Sequence, residues 1–553
     1  MKSMRTVVLI VLVAILVGGL MFVVKKEYGE YVYIKEHTVT SVEETEGLPS
    51  FQIHLMNADF RLKEQKEQHL KEEKPQLKRE AKSWIVRHGE QDMGKLTYEG
   101  IWFETTGDYY YFLRYEPMVA YRQPITLQAS IASTARSVTG RHLVYPSVPE
   151  PLSPFSIGNS TWTEPFRLGN EGGLPKHSLY LEAEDFSFHA NLINSYEPLG
   201  NGVRKEHYEE APAMVYKSGE TAKLLTIELP HLEGRQIEQW GMVGKEGLFD
   251  WEDEGQKELM TRANLDRIRK WTPGGVQYIP DPSYVPYDEW GFWIVPAQHV
   301  GSKFLLYGKT RFAENFSMMS LEGALHTQNE QGFWNTEPKS SWLEKDYGIK
   351  EGFYDTRFST DAALFLLEGY RKFKDPAYLE AAKNYATFFL DYARQHHDST
   401  KNGGYLVYDY RQGTGDEQKI KTHVSLNHLV AEMNFLYELY LETKQESYLQ
   451  TADKLKVAVW DTIPHWVKPE DGDLWYAYMP DGGFGMKDYM HLTLKDLRYS
   501  QEIFKRLNQG VDENFQYLID TKEKYLSKMG YPLYDWEDLM FRIEGASLVS
   551  IEK

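Results

Sequence analysis

The sequence of 553 residues contains no cysteine, which excludes disulfide bonds, thiolate metal sites and a cysteine nucleophile. Basic residues are fewer than acidic ones, with 62 Lys and Arg against 81 Asp and Glu and a formal net charge of −19. This balance argues against nucleic-acid binding, which requires a basic surface. An acidic polysaccharide would for the same reason need a locally basic cleft.

Three common catalytic signatures are missing as well. The sequence has no G-x-x-x-x-G-K-[ST] phosphate loop, no H-E-x-x-H zinc motif and no G-x-S-x-G nucleophile elbow. Asp471 and Asp473 give only a fragment of a calcium loop, which needs several more oxygen ligands. We therefore expect neither a metal nor a cofactor.

Aromatic residues are abundant, at 14% of the chain, with 38 Tyr and 14 Trp. Aromatic faces suit the stacking of sugar rings, although tyrosine serves equally well in strands and helix cores. Hydrophobic residues make up 42% and charged residues 26%, which is typical of a globular protein. A chain of this length is expected to hold two or three domains.

The first 26 residues predict a membrane anchor. Thr6–Val24 carries no charged residue, and about 20 apolar residues in a helix cross a hydrocarbon core of about 30 Å. A cleavable signal peptide would have a shorter apolar stretch and a cleavage site of small residues, whereas Lys25 and Lys26 follow here. We expect a single-pass membrane protein with its C-terminal bulk outside the cytosol, because the remaining features favour a sugar polymer as partner.

Residues 27–100 predict a membrane-proximal stalk. Within them, Arg61–Lys82 alternates basic and acidic residues, a pattern typical of a solvated helix. Pro75 lies inside this run and would interrupt such a helix.

Residues 101–325 predict a β-rich domain. Strand signals include Tyr109–Tyr115 and Ser178–Leu192, which are rich in aromatic residues or alternate apolar with polar ones. The Val-Gly-Ser stretch at 300–302 offers a turn between two aromatic-rich runs, and Arg262–Trp271 has the pattern of a helix inserted among strands. The expected fold is an antiparallel β-sandwich or barrel.

From residue 326 to 553 the apolar pattern becomes helical, with a stripe of period 3.6 in Leu426–Tyr440. An internal repeat supports this: Phe365–Ala382 aligns without a gap on Phe435–Ala452. Each copy predicts one helix, a turn and the start of the next helix. Repeated helical hairpins bury their apolar stripes only against their neighbours, which predicts an α/α solenoid or an incomplete (α/α) toroid.

Two polar clusters occupy equivalent positions at the start of the two repeats, in Gly352–Thr360 and Thr422–Val430. The helix ends of a toroid gather around one mouth, so these clusters predict a common cleft. Its expected lining residues are Tyr354, Asp355, Arg357, His423, Asn427 and His428. The alternative is that the acidic and hydroxyl residues cap helices and that the histidines are satisfied groups of the core or the surface.

A third cluster, Asp471–Leu497, combines close-set aromatic residues with a glycine-rich loop. Five motifs follow one another in the C-terminal part of the chain. They are NEQGFW at 329–334, GFYDTRFSTDAALFLLEGYRKF at 352–373, LNHLVAEMNFLYELY at 426–440, LWYAY at 474–478 and DYMHLTLKDL at 488–497. In this order the motifs resemble the C-terminal domain of the glucuronyl C5-epimerases. The resemblance covers roughly the last two fifths of the chain and rests on the order, since no single motif is highly specific.

That family has an N-terminal membrane anchor, a β-rich middle and an incomplete (α/α) toroid, and the resemblance implies the same architecture here. It also implies that Tyr476 and Tyr489 are the catalytic tyrosines that work at C5 of a uronate. Such an epimerase removes the proton α to a carboxylate and returns one on the opposite face, so two acid/base groups must flank the ring. We expect Arg357 to be the cation that lowers the pKa of a catalytic tyrosine.

Further residues of the three clusters are expected to bind the substrate. They are Tyr354, Asn427, His428, Tyr478 and His491. The sequence departs from the family pattern after the first tyrosine motif, where the family has Arg and His and this chain has Met479 and Pro480.

Two functions from different classes follow. One is an epimerase or related lyase that acts on a uronic-acid-containing polysaccharide, needs no cofactor, is held at the membrane by the N-terminal helix and forms a homodimer. The other is a non-catalytic glycan-binding or polysaccharide-assembly protein that kept the fold and lost the charged chemistry. A glycosidase is a further alternative, because carboxylate pairs such as Asp355 and Asp361 suit hydrolysis when the spacing is right.

Overall fold

The computed structural model of the chain separates into two compact units. It describes residues 37–66, 69–145, 160–210, 212–279, 281–296, 299–412 and 421–542. The first unit comprises the described residues up to 145 together with Ser160–Glu197 and Glu206–Asp250. The second comprises Pro198–Lys205 and the described residues from 251 onward.

Strands dominate the described chain up to residue 244. They are β1 (Thr38–Val42), β2 (Phe51–Leu55), β3 (Phe60–Glu64), β4 (Leu70–Glu73), β5 (Leu77–His88), β6 (Gln91–Phe103), β7 (Tyr109–Pro117), β8 (Ile125–Ala132), β9 (Thr139–Val144), β10 (Thr161–Trp162), β11 (Phe166–Arg167), β12 (Glu171–Gly173), β13 (Leu179–Glu182), β14 (Ser187–Gly200), β15 (Val203–His207), β16 (Ala213–Ser218), β17 (Ala222–Leu229) and β18 (Gln236–Gly244). A short 3-10 helix spans Tyr208–Glu210.

The first unit is an antiparallel β-sandwich. One sheet has the strand order β1-β2-β8-β17-β16-β12, and the other runs β14-β18-β7-β6-β5-β3, with β4 paired to β5 and β13 joining β9 to β14. The inner faces share one apolar core, in which the rings of Phe51 and Tyr111 lie 5.3 Å apart. Gly100 and Gly241 lie opposite Tyr111 on its two neighbouring strands, where a side chain would meet tyrosine rings within 3 Å.

The helix expected over Arg61–Lys82 is wrong, because this stretch supplies β3, β4 and the start of β5. Its alternating charges pair across strands. Glu72 of β4 lies opposite Arg79 of β5, and the Arg79 guanidinium is 3.0 Å from the Glu99 carboxylate of β6. Opposite charges at facing positions stabilise an antiparallel pair as they would a helix face, so charge alternation alone did not distinguish the two.

The second unit begins its own strands at β15, which pairs with β22 through Val203–Lys205. Its further strands are β19 (Arg269–Thr272), β20 (Gly275–Tyr278), β21 (Tyr284–Val285), β22 (Gly291–Val295), β23 (Asn335–Thr336), β24 (Lys339–Ser340), β25 (Phe353–Asp355), β26 (His397–Ser399), β27 (Tyr405–Val407), β28 (Tyr410–Arg411), β29 (Val424–Ser425), β30 (Trp475–Tyr478) and β31 (Phe484–Lys487). Most of these are short and connect helices.

Within the described residues, the α-helices all belong to the second unit. They are α1 (Glu254–Ala263), α2 (His299–Tyr307), α3 (Arg311–Thr327), α4 (Ser341–Tyr347), α5 (Thr356–Phe373), α6 (Pro376–Gln395), α7 (Leu426–Thr443), α8 (Glu446–Thr462), α9 (Leu492–Arg506), α10 (Glu513–Lys528) and α11 (Trp536–Arg542), with a 3-10 helix at Ile463–Trp466.

The long helices form stacked hairpins. The pairs α5 and α6, α7 and α8, and α9 and α10 each pack as a hairpin, and α3, α5, α7 and α9 pack side by side in an inner row. The two copies of the sequence repeat, Phe365–Ala382 and Phe435–Ala452, both run from the end of an inner helix into the start of an outer one. This confirms the prediction that both copies form helical hairpins.

The expected fold class, a transmembrane helix followed by a β-sandwich or barrel and an incomplete toroid, is wrong in this form. The expected anchor, Thr6–Val24, lies outside the described residues, and no helix within them is long and apolar enough to cross a membrane. Residues 101–325, expected to be rich in strands with one inserted helix, contain β7 to β22 together with α1, α2 and most of α3.

Two local expectations fail for identifiable reasons. The stretch 300–302, expected to be a turn, lies inside α2, because Val300, Phe304 and Leu305 are buried at helical spacing. The helix expected at Arg262–Trp271 is wrong, because α1 lies mostly before this stretch and ends at Ala263. Asn264 adopts a left-handed conformation with φ 45° and caps α1, after which the chain continues into β19.

A buried carboxylate joins three inner helices at the end of the row. Glu438 of α7 is fully buried and accepts hydrogen bonds from Arg371 of α5 at 2.8 Å and from Tyr499 of α9 at 2.7 Å. Arg506 of α9 donates to the same carboxylate at 3.1 Å. The ionised carboxylate is therefore compensated by two guanidinium groups.

Replacing Glu438 with Gln should destabilise the second unit by about 2 kcal/mol, because two arginines lose their shared counter-ion while remaining partly exposed to water. Urea denaturation followed by circular dichroism measures this loss. The matched control is Glu330→Gln, a change at an exposed loop position that should leave the midpoint unchanged. Equal midpoints for the two variants would contradict the assigned role of Glu438.

Candidate active site

The second unit contains a partly open cavity of about 800 Å³. The N-terminal ends of α5, α7 and α9 open onto it, together with α4 and the loop that precedes β21. Its lining residues are Tyr278, Asp281, Pro282, Ser283, Tyr284, Trp293, Val295, His299, Ser340, Ser341, Trp342, Leu343, Lys345, Asp355, Arg357, Phe358, Tyr410, Asn427, His428, Tyr476, Met486, Tyr489 and Leu492.

The repeat places Asp355 and Ser425 at equivalent points, the N-caps of α5 and α7. Asp355 accepts hydrogen bonds from the backbone N–H groups of Arg357 at 2.8 Å and Phe358 at 3.0 Å. The Ser425 hydroxyl makes no such cap and instead donates to the carboxylate of Asp409. Capping therefore accounts for part of the first cluster, as the alternative interpretation predicted, while Asp355 also lines the cavity.

Asp355 is the cavity carboxyl best suited to proton transfer. Burial raises its pKa to about 7, an effect that its backbone hydrogen bonds and Arg357 only partly oppose and that Asp361 reinforces. A carboxyl with a pKa near the working pH is populated in both protonation states and can act as an acid or a base. From the sequence, Asp355 was expected as a cleft residue, as a helix cap or as one of a hydrolytic carboxylate pair with Asp361, but not as the acid or base of an epimerase.

Arg357 lies at the cavity with its charge already compensated. It is only 2% exposed; its Nε donates to Asp361 at 3.0 Å, and its Nη1 donates to Asp496 at 2.5 Å and to the carbonyl of Asn427 at 2.9 Å. Burial alone would lower its pKa, but Asp361 and Asp496 raise it. These contacts join α5, α7 and α9 around a permanent cation.

The two expected catalytic tyrosines meet at the cavity wall. The rings of Tyr476 and Tyr489 are 5.6 Å apart in a T-shaped arrangement. Burial, followed by the charges of Asp355 and Asp488, raises the pKa of Tyr489 to about 12, and the opposing influence of Arg357 is smaller. Burial raises the pKa of Tyr476 too. Arg357 thus lowers the pKa of Tyr489 as expected, but burial and the two carboxylates outweigh it. Both hydroxyls remain protonated at neutral pH.

An ion triad fixes the segment that carries these tyrosines. The fully buried ammonium group of Lys522 in α10 lies 2.7 Å from Asp473 and 2.8 Å from Asp488. Asp473 precedes β30 and Asp488 directly precedes Tyr489. The triad thus anchors both ends of the β30-β31 hairpin against an outer helix.

Aromatic rings form much of the cavity wall. Tyr284 and Trp293 have ring centroids 4.3 Å apart, and Phe358 lies 5.8 Å from Trp293. Trp342 and Tyr410 meet on another part of the wall at 6.4 Å. Such surfaces suit the apolar faces of sugar rings, while polar groups fix the orientation of a ligand.

Five of the eight residues expected to act in the site do line the cavity, namely Tyr476, Tyr489, Arg357, Asn427 and His428. The side-chain Oδ1 of Asn427 is buried without a hydrogen-bond partner among the described residues. The Nδ1 of His428 lies 2.9 Å from the hydroxyl of Thr356. Helix ends of the repeat therefore share one cavity, as predicted.

The other three lie away from it. Tyr354 is fully buried and hydrogen-bonds the hydroxyl of Tyr385 at 3.0 Å. The hydroxyl of Tyr478 donates to Asp398 at 3.1 Å, and His491 Nε2 is 2.9 Å from the carbonyl of Pro532. Tyr354 and Asp355 are neighbours in β25. Because side chains alternate along a strand, these two point to opposite faces. His423, expected in the cleft, is fully buried behind the wall.

Sequence reasoning missed the wall contributed by 281–293. This stretch supplies Asp281, Tyr284 and Trp293, but it falls within residues 101–325, which were expected to form the β-rich domain. Proline and acidic residues interleaved with aromatics could have indicated a loop at a binding site. Trp342 and Tyr410 carry no comparable signal, because only the fold brings them to the cavity.

No protein-family model matches the sequence, and no curated protein sequence matches it. Similar solved structures include a family 76 glycoside hydrolase from a bovine Bacteroides thetaiotaomicron strain, at 13% identity and a TM-score of 0.36 over 76% of this chain and 79% of that one. A D-mannose isomerase follows at 15% identity, TM-score 0.31, over 45% and 64%. Cellobiose 2-epimerase from Bacillus thermoamylovorans matches at 10%, TM-score 0.33, over 42% and 60%.

These names belong to glycoside hydrolases, sugar isomerases and sugar epimerases. At such TM-scores the likenesses carry no argument about this chain.

Asp355→Asn should make stability less dependent on pH. The folded state holds the proton of Asp355 up to about pH 7, whereas an unfolded aspartate releases it near pH ~4, so this residue lowers stability as pH rises between these values. In the variant the amide still caps α5. As pH rises through that window, its free energy of unfolding should increase relative to that of the unmutated protein by about 1.4 kcal/mol per pH unit. Urea denaturation at several pH values measures the difference, and one that is constant with pH would contradict the raised pKa.

Proposed function

We propose that the protein is a carbohydrate-modifying enzyme that epimerises a uronic-acid-containing polysaccharide by removing and returning the proton at C5. The observation that carries the proposal is one cavity that holds a carboxyl with a pKa near 7, Asp355, and two protonated tyrosines, Tyr476 and Tyr489. The resemblance of the sequence motifs to glucuronyl C5-epimerases supports the same chemistry.

In this mechanism ionised Asp355 takes the C5 proton and the hydroxyl of Tyr489 gives a proton to the opposite face. The roles follow from the pKa values: Asp355 near 7 is a competent base, and Tyr489 near 12 is an acid rather than a base. Charge developing on the substrate carboxylate lies close to the N-terminal ends of α5, α7 and α9, whose partial positive charge favours anions.

The cavity also offers groups for holding a charged sugar. Trp293, Trp342 and Tyr410 provide stacking faces. Lys345 lines the cavity, is exposed, and forms no ion pair within the described part of the chain. It is thus suited to the uronate carboxylate, whereas Arg357 is occupied by Asp361 and Asp496. This local cation answers the need for a basic group in a chain of net charge −19.

A second candidate function is glycoside hydrolysis, because two carboxyls with different surroundings line the same cavity. Asp281 accepts the backbone N–H of Ser283 at 2.8 Å, while Asp355 is buried and protonated up to about pH 7. A general acid paired with a carboxylate base or nucleophile is the arrangement that hydrolysis requires.

A non-catalytic glycan-binding protein would use the aromatic wall without needing the raised pKa of Asp355.

Uronate polymers incubated with the full chain in deuterated water should gain deuterium at C5. Asp355→Asn and Tyr489→Phe should each reduce the rate by about 10²–10⁴-fold, the usual contribution of a positioned acid or base. The matched control is Asp375→Asn, since Asp375 is the N-cap of α6 and does not line the cavity; its rate should equal that of the unmutated protein.

Absence of exchange on every uronate polymer would refute the epimerase proposal. New reducing ends from a neutral or acidic glycan, lost in Asp355→Asn, would favour hydrolysis instead. Glycan binding without either reaction would support the non-catalytic function.

A further inference from the structure

A cluster of polar and aromatic side chains lies outside the cavity, around the carboxylate of Asp398 in β26. This carboxylate accepts hydrogen bonds from the hydroxyls of Tyr408 at 2.8 Å and Tyr478 at 3.1 Å. It also lies 2.6 Å from the ammonium group of Lys421. The ring of Phe484 is 5.5 Å from that of Tyr478 in a T-shaped arrangement. We refer to these five residues as the outer cluster.

Two chain segments connect the outer cluster to the cavity wall. Tyr478 is two residues beyond Tyr476 in β30, so both side chains point to the same face of the strand, about 7 Å apart. Tyr408 is two residues before Tyr410, and two residues of chain span at most about 7 Å. Tyr476 and Tyr410 both line the cavity. The outer cluster therefore lies close to the cavity wall, at a distance comparable to the length of one sugar unit.

Water reaches the outer cluster. The side chains of Lys421 and Asp398 are 40% and 24% exposed, and Tyr408, Tyr478 and Phe484 are half-buried. Burial acts to raise the pKa of Asp398, but the hydrogen bonds from Lys421, Tyr408 and Tyr478, together with the charge of Lys421, outweigh burial and lower the pKa. The cluster thus presents an ionised carboxylate, an ammonium group and aromatic rings to solvent in a fixed arrangement.

These groups match the chemistry of a uronate-containing glycan. Aromatic rings bind the apolar faces of sugars, and a carboxylate accepts hydrogen bonds from sugar hydroxyls. Within the described residues Lys421 forms an ion pair only with Asp398, and an ammonium group carries three N–H donors. Lys421 therefore retains donors for the carboxylate of a uronate.

We propose that the outer cluster is a second sugar-binding subsite, which holds one unit of a uronate-containing polysaccharide while another unit of the same polymer occupies the cavity. The identity of the sugar rests on the proposed function. The cavity is partly open, so a polymer that enters it leaves again over the surrounding surface. Binding at two places favours a polymer over a single sugar, because the second contact of a linked ligand is intramolecular.

The first test removes one ring of the outer cluster. Tyr478→Ala in the full chain should weaken the binding of a uronate polymer about tenfold, because the sugar loses a stacking face. The matched control is Tyr517→Ala, which removes an exposed tyrosine of α10 and should leave the affinity unchanged. The probes are soluble polymers of glucuronate, galacturonate and mannuronate, and isothermal titration calorimetry measures their dissociation constants. Equal dissociation constants for the two variants, or no binding of any of these polymers by the unmutated protein, would overturn the proposal.

The methyl glycoside of the same uronate separates a loss of the subsite from a deformed cavity. A single sugar is too small to reach from the cavity to the outer cluster, so Tyr478→Ala and Tyr517→Ala should bind it equally in an NMR titration. An equal loss of affinity for the glycoside and for the polymer in Tyr478→Ala would indicate a structural effect on the cavity and contradict the subsite.

The second test concerns the charge of Lys421. Lys421→Gln should weaken polymer binding several-fold and make the remaining affinity less sensitive to salt, because dissolved ions screen exposed charge pairs. The matched control is Lys524→Gln, which changes an exposed lysine of α10 and should keep the salt dependence of the unmutated protein. An unchanged salt dependence in Lys421→Gln would contradict the contact with a uronate carboxylate.

Failure of the subsite and failure of the proposed function give different results. Deuterium exchange at C5 of a polymer whose binding is insensitive to both Tyr478→Ala and Lys421→Gln would leave the epimerase standing and refute the subsite. Polymer binding that depends on both residues, without any exchange at C5, would refute the epimerase and support the subsite.

Discussion

The guanidinium group of Arg357 holds the inner helices together at the cavity. It bonds Asp361 within α5, Asp496 on α9 and the carbonyl of Asn427 at the start of α7. Glu438 lies eleven residues beyond Asn427, or roughly 16 Å further along α7. It makes a similar connection to α5 and α9, but here the central group is an anion and not a cation. The inner row is thus held at both ends by a buried charge, which keeps the helix N-termini in a fixed relation around the cavity.

The same guanidinium separates two carboxyls that lie close in sequence. Burial is the largest single influence on Asp361 and would raise its pKa, yet the pKa is lowered because Arg357, His299 and Lys495 together outweigh it. Asp355 makes no side-chain contact with the guanidinium and has its pKa raised to about 7 by burial. Two aspartates of one helical segment therefore have pKa values shifted in opposite directions. Opposed pKa shifts of this kind are the usual basis on which acid and base roles are divided.

The helical half of the site was predictable because the repeat encodes it locally. The alignment of Phe365–Ala382 on Phe435–Ala452 placed Asp355 and Ser425 at equivalent positions, and both proved to be N-caps. The remaining walls were not predictable, because Trp342 and Tyr410 reach the cavity only through tertiary packing. The pKa of Tyr489 was misjudged for a related reason. Its cationic neighbour was identified, but the degree of burial and the nearby carboxyls, which decide the direction, are properties of the folded chain.

The first unit shows where pattern reading is ambiguous in principle. The charges of Arg61–Lys82 suit neighbours on a helix face as well as partners across strands, and only the pairing of β4 with β5 decides between them. The stretch 300–302 at the start of α2 was likewise expected to be a turn, because it contains Gly301 and glycine is common in turns. There the glycine permits close packing instead: a Cβ atom at Gly301 would lie 2.7 Å from Ser320 and 2.9 Å from Phe365.

Trp293 and Trp342, two of the aromatic residues in the cavity wall, also give the site an optical property. Indole emission responds to the polarity and mobility of its surroundings, and displacement of water by a sugar changes both. Nearby Tyr284 and Tyr410 can transfer excitation energy to these indoles. The residues that form the stacking surface would therefore report its occupancy as a change in the intrinsic fluorescence of the unlabelled protein.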